Sequence, residues 1–256
     1  MPANILHLPH FSSCNALLDA HLEELQKRFG MTTWMITRLV GDELVILRLK
    51  DRHYRLHRGY RLNWRQNYCG EVVEKGRPAI FPDASAHPDH ASLSRNNPLN
   101  IRAYVGLPLV DSDNRKFGTL CAIDPQPQSD SLQDAATSLI HEAALISFLL
   151  SNAVREAREK RLTTFVEHPD RCDDTGLPGH EGWQDICRQE ASNCRDFGLE
   201  SSVLYLQAPQ GSNSLTIADS LAALLREQDS IAHLGDNRFG IMLADTDETK
   251  SHRVAD

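Results

Sequence analysis

Two apolar runs, Ile101–Val110 and Phe117–Ile123, stand either side of the hexapeptide Asp111-Ser112-Asp113-Asn114-Arg115-Lys116. Aliphatic and β-branched runs of this length around a polar turn form a β-hairpin. A chain built on such a hairpin holds an antiparallel sheet, and the segments around it should fold onto that sheet. Upstream, Thr32–Val40 and Glu43–Leu49 flank Gly41-Asp42 and read as a second hairpin. Before them, Leu17, Leu18, Leu22, Leu25 and Phe29 recur at helical spacing, which predicts an amphipathic helix over 14–29 ended by Gly30. A helix over 64–75, a short strand at Ala79-Ile80-Phe81 and a long polar loop from Asp83 to Asn100 lie between the hairpins.

From Leu132 the period changes to that of a helix: Leu139, Ile140, Ala143, Ile146, Leu149, Leu150, Ala153 and Val154 precede a charged run, Arg155 to Arg161, and His168-Pro169-Asp170 ends the segment. This connector, 132–168, is expected to pack on its own domain in one half. In the other it should pair with a second copy, giving a homodimer. Beyond it, helices at 181–194 and 217–225 alternate with a strand at 202–206 and a hairpin, 231–234 with 239–243, about Gly235-Asp236-Asn237-Arg238.

Charge divides the chain at the same place. Residues 1–170 hold 20 basic and 20 acidic side chains, whereas 171–256 hold 7 and 15, so the formal charge of −8 belongs to the last third. An acidic segment repels a polyphosphate, which excludes a general nucleic-acid binder there. The basic stretch from Arg48 to Arg65, with Tyr54, Tyr60 and Trp64, reads as a solvated strand face and loop in a domain that is not basic overall. The most apolar stretch, 143–150, is far below the ~20 residues of a membrane span. With no signal peptide visible at Met1, a cytoplasmic protein is expected. Six cysteines without a C-x-x-C suggest reduced thiols. The His7/His10 and His87/His90 pairs lack a third ligand of clear geometry, so neither a metal nor another cofactor is expected.

The phrase Ile101-Arg102-Ala103-Tyr104-Val105-Gly106-Leu107-Pro108-Leu109, with Phe117-Gly118-Thr119-Leu120-Cys121-Ala122-Ile123-Asp124-Pro125 after it, resembles the closing hairpin of GAF domains. With Tyr68-Cys69 and Pro82-Asp83-Ala84 the resemblance covers 10–155. It implies an antiparallel sheet with flanking helices, used to sense a small molecule or to dimerise. Trp64, Tyr68, Phe81, Asp83, Arg102 and Tyr104 either line a ligand pocket or close a core.

Downstream, Asp173-Asp174-Thr175-Gly176-Leu177-Pro178-Gly179 resembles the opening of GGDEF domains, the diguanylate cyclases that join two GTP into cyclic di-GMP. Gly235-Asp236-Asn237-Arg238-Phe239 keeps the first Gly and the Phe of that family's signature and loses both carboxylates. Gln207 stands at the metal-binding position. The cations such chemistry needs are held by hard anionic oxygens, which Gln207 and Asn237 do not offer. The resemblance also implies an inhibitory cyclic di-GMP site at Arg226 and Asp229, with His233 in place of a further Arg. The fold expected is therefore α+β: a GAF sheet with flanking helices, a long connector helix and a partial GGDEF-like α/β domain over 171–256. The function expected is a non-catalytic sensory protein. The alternative is a sensor-regulated diguanylate cyclase or a truncated form of one.

Overall fold

The computed structural model describes residues 10–63, 68–86 and 99–255. Trp64 and the histidines His7, His87 and His90 of the proposed pocket and metal pairs lie outside the described residues. Two units divide the chain, Met1–Asn152 and Ala153–Asp256.

In the first unit, helix α1 (Cys14–Phe29) starts at Ser13, whose hydroxyl accepts from the Ala16 amide, and stops at Gly30 with φ +70°. Six strands follow: β1 (Thr33–Val40), β2 (Glu43–Asp51), β3 (Arg61–Asn63), β4 (Ala79–Phe81), β5 (Ala103–Val110) and β6 (Lys116–Asp124). They form one sheet in the order β3-β2-β1-β6-β5-β4, and every pairing is antiparallel. Helix α2 (Cys69–Lys75) packs on β5 and β6, and a short turn of helix, α3 (Ser131–Asp134), precedes the long α4 (Ala136–Glu167).

Gly118 shows how tightly β1 and β6 meet: a Cβ there would sit 1.9 Å from the Thr37 carbonyl oxygen, so only glycine fits. Beside it, the Thr37 and Thr119 hydroxyls, both fully buried, satisfy each other at 2.7 Å. A buried hydroxyl pair without this bond would be costly, so the contact also fixes the register.

Leu139, Ala143, Ile146 and Leu150 of α4 are buried in the first unit. The helix is pinned there by polar contacts too: Ser147 Oγ accepts from the Val110 amide, and Arg28 bonds Glu142 and Ser138. Of the apolar stripe read from the sequence, Leu139, Ile146 and Leu150 are thus covered within their own unit. The face of α4 left to solvent carries Ile140, Leu145 and Phe148. The expectation that no segment reaches spanning length changes as well. By length and composition α4 is the one helix among the described residues that qualifies, with a mean hydropathy of 1.3 over 18 residues. A third of that window is nevertheless buried inside the protein.

The second unit begins inside α4, earlier than the charge shift near residue 170 suggests: Arg158 pairs with Asp245 at its surface and Arg161 is buried in its interior. It adds α5 (His180–Phe197), β7 (Ser201–Gln207), α6 (Ser214–Leu224), β8 (Ser230–His233), β9 (Arg238–Ala244) and α7 (Glu248–Ala255). The sheet order is β7-β9-β8, antiparallel throughout. Arg161, fully buried, lies 3.0 Å from Glu190 and donates to Ser230 Oγ at 2.7 Å and to the Gln228 carbonyl. Glu190 in turn accepts from Ser201. The start of α5 is capped from a distance, by Asp170, whose carboxylate accepts from the Glu181 and Gly182 amides. That approach requires Gly179, where a Cβ would fall 2.6 Å from the Asp170 oxygen.

Candidate functional site

The five described residues among those proposed for a pocket in the first unit, Trp64 lying outside them, separate into two groups. Tyr68 and Tyr104 are each 1% exposed and stack at 5.1 Å, with Phe81 stacked on Tyr104 at 6.2 Å. Around them Met35, Leu44, Ile46, Val72 and Ile123 fill the space, so among the described residues these aromatics form a closed core. Asp83 and Arg102 instead make a surface ion pair at 3.0 Å, and Asp83 also accepts from the Ser85 hydroxyl and amide. The Arg102 hydrogen bond, more than any other contact, holds the Asp83 carboxyl below the usual range.

Two thiols lie in the same core, unnoticed at the sequence level because they are 52 positions apart. Cys69 Sγ and Cys121 Sγ are 3.3 Å apart, and the Tyr104 hydroxyl donates to Cys69 at 3.4 Å. Burial pushes both the Cys121 thiol and the Tyr104 phenol well above their ordinary values.

Three cations of the basic stretch have local partners. Arg48 is 1% exposed and donates to the Leu47 carbonyl, Lys50 pairs with Glu23, and Arg61 pairs with Glu43. These contacts agree with a folded strand face.

In the second unit the turn between β8 and β9 and the end of β7 meet. Gln207 is paired with Arg238 across the sheet, and its amide donates to the Asp236 and Ala208 carbonyls. Gly235, Asp236 and Asn237 have φ of +82°, +50° and +55°. Asp and Asn are the non-glycine residues that tolerate this region best, which lets the turn form without a second glycine. Asn237 then staples the following loop. Its side chain donates to the Pro209 and Ser212 carbonyls and accepts from the Ser214 hydroxyl, while its own carbonyl takes the Ala208 amide.

These residues line a cleft of ≈ 1170 Å³ that also includes Cys172, Asp174, His233 and Arg238. Polar groups dominate it, the Asp174 and Asp236 carboxylates among them. The amide oxygens of Gln207 and Asn237 are neutral, and among the described residues no three His, Cys, Asp or Glu side chains gather as a metal set.

Arg226 and Asp229 are close but closed on each other. Asp229, buried, accepts from the Arg226 amide, Nε and Nη2 and from the Ala244 amide, and Arg226 also reaches the Ala244 carbonyl and Thr246. His233 is not grouped with them. It is 6% exposed, stacks on Phe239 at 4.9 Å and faces Cys172.

A six-stranded antiparallel sheet flanked by helices makes the first unit an α+β domain. Residues 13–146 match the GAF domain model, and the chain belongs to the GAF domain family. Among solved structures it is similar to the free methionine-R-sulfoxide reductase from Neisseria meningitidis, solved in complex with its substrate (26% identity, 57% of this chain and 81% of that one, TM-score 0.45). It is also similar to the GAF domain from an Acinetobacter phosphoenolpyruvate-protein phosphotransferase (16%, 56% and 84%, 0.44) and to a far-red cyanobacteriochrome photoreceptor (16%, 55% and 87%, 0.44). A search of curated proteins returns no match.

Proposed function

We propose that this chain is a non-catalytic signalling protein in which the GAF unit is joined to an inactive GGDEF-like unit. The observation that carries the reading is the state of Gln207 and Asn237. The sequence resemblance sets these two residues at cation-binding positions of a diguanylate cyclase, and they do sit together at one cleft, 30 positions apart in the chain. Both are amides, and both are committed to backbone carbonyls. Joining two nucleotides through an α-phosphate develops charge that cations held by carboxylates must neutralise. The cleft can take a polar ligand but cannot do that chemistry.

Incubation of the purified chain with GTP and Mg²⁺ should yield no cyclic di-GMP. Product above a mock preparation, abolished by chelator, identifies a working cyclase instead.

The GAF unit serves as a small-ligand or dimerisation module. With its aromatic centre filled, the exposed Ile140, Leu145 and Phe148 face of α4 favours the second role, through a homodimer formed by that helix. Sedimentation should show a dimer that Phe148→Glu weakens; a parent monomer at tens of micromolar contradicts it.

Cyclic di-GMP is at most a weak ligand at Arg226 and Asp229. A guanine there has to displace hydrogen bonds that Asp229 already accepts from its own chain.

A further inference from the structure

The cleft of the second unit holds one pair that its resemblance does not use. Cys172 Sγ lies 2.9 Å from His233 Nδ1. Both partners are fixed by backbone bonds: the Cys172 amide donates to the Leu177 carbonyl, its carbonyl accepts from the Gly176 amide, and the His233 amide donates to the Pro178 carbonyl. The imidazole is further held by its stack on Phe239, with the rings 15° from parallel. It is more than nine-tenths buried, and its other nitrogen, Nε2, has no hydrogen-bond partner among the described residues. The thiol, by contrast, is partly exposed and lines the cleft.

A thiol at hydrogen-bond distance from an imidazole can pass its proton to that ring as the sulfur attacks, so the thiolate forms where it reacts. We propose that Cys172 is a modification site of this protein, one that undergoes thiol–disulfide exchange with polar low-molecular-weight disulfides entering the cleft. The Cys172 sulfur attacks one sulfur of the incoming disulfide and forms a new S–S bond. The original S–S bond breaks, and the departing thiolate takes the proton held by His233. The product is a mixed disulfide at Cys172 plus one free thiol, and a second thiol reverses the step.

The other cysteines lack these features. Cys69 and Cys121 are buried in the first unit. Cys14 donates to the Leu149 carbonyl. Cys187 and Cys194 are exposed to a similar degree as Cys172, but burial pushes both thiols up, away from the reactive form.

The test is a time course of the native, reduced chain with glutathione disulfide, quenched by acid and read by peptide mass spectrometry at each of the six cysteines. Cys172 should be modified at least tenfold faster than Cys187 and Cys194, and dithiothreitol should release the adduct. His233→Phe, which keeps a ring against Phe239, should lower the Cys172 rate at least fivefold in a protein of unchanged circular dichroism. Modification of Cys172 no faster than Cys187 and Cys194 in the parent overturns the proposal, whether or not the variant folds. An equal Cys172 rate in a folded His233→Phe overturns the role given to the imidazole and with it the proposal.

Discussion

The two units solve the same problem, a helix-flanked antiparallel sheet, with different materials. In the GAF unit the interior is mostly apolar and aromatic, with Trp34, Leu22, Ile36, Tyr68, Tyr104 and Leu120 all at or below 1% exposure, and its one fully buried cation among the described residues, Arg48, lies near the half-exposed Asp19. The second unit has only three strands and fewer large apolar side chains, and it buries an ion pair, Arg161 with Glu190, instead. A small domain buries a smaller share of its surface, so fixed polar contacts must define its geometry. The second unit carries a polar cleft, whereas among the described residues of the larger unit the aromatics at the centre pack against one another. The difference teaches that the family match and the open cleft lie in different parts of the chain.

The buried ion pair is the most sensitive point of the second unit. Arg161→Met leaves Glu190 charged and buried without its partner, a loss of about 3–5 kcal/mol. Chemical denaturation should show the second unit unfolding early while signals from the GAF unit persist. Replacing Glu190 with Leu in the same protein should recover much of the loss, because it is the orphaned charge that costs most.

On the apolar side, Leu139→Ala removes a fully buried side chain of α4 and should cost about 2–5 kcal/mol, through lost burial and a cavity. This variant should lower the GAF transition and leave the second unit's transition in place. A common shift of both transitions by either variant would show that the units unfold as one.

A smaller effect sharpens the reading of Asp83 and Arg102 as surface groups. The folded carboxyl titrates lower than in the unfolded chain, so its contribution is fully present above pH ~4 and disappears as pH falls through the lowered value. At this exposure it amounts to about 0–1 kcal/mol. Asp83→Asn should therefore reduce stability slightly at pH 7 and not at all at pH 2, as measured by thermal melts across that range.

Local signals made much of the fold readable. Period-3.6 apolar residues and Gly30 fixed α1, and the polar hexapeptide between apolar runs fixed the β5–β6 hairpin. The two elements that escaped lack such signals. Strand β3 is three residues long and exists through its pairing with β2, and α7 spans Glu248–Ala255 with few apolar residues to set a period. The site was legible by type and not by partner. That Tyr68 and Tyr104 belong together was readable, but whether they surround a ligand or each other depends on α2 closing over β5 and β6. The same limit applied to α4, where the sequence displays the apolar stripe and the sheet decides which side of it is covered. Cys172 with His233, 61 positions apart, has no sequence signature at all.

The proposed function rests on Gln207 and Asn237, neutral amides at the positions where the sequence resemblance expects cation-binding carboxylates. Calorimetric titration of the unaltered chain with GTP, in Mg²⁺ and again in chelator, tests it most directly. No heat that depends on Mg²⁺ is expected. A saturating GTP isotherm that appears with Mg²⁺ and vanishes with chelator would show that Gln207 and Asn237 do not silence the cleft, and would contradict the proposed function.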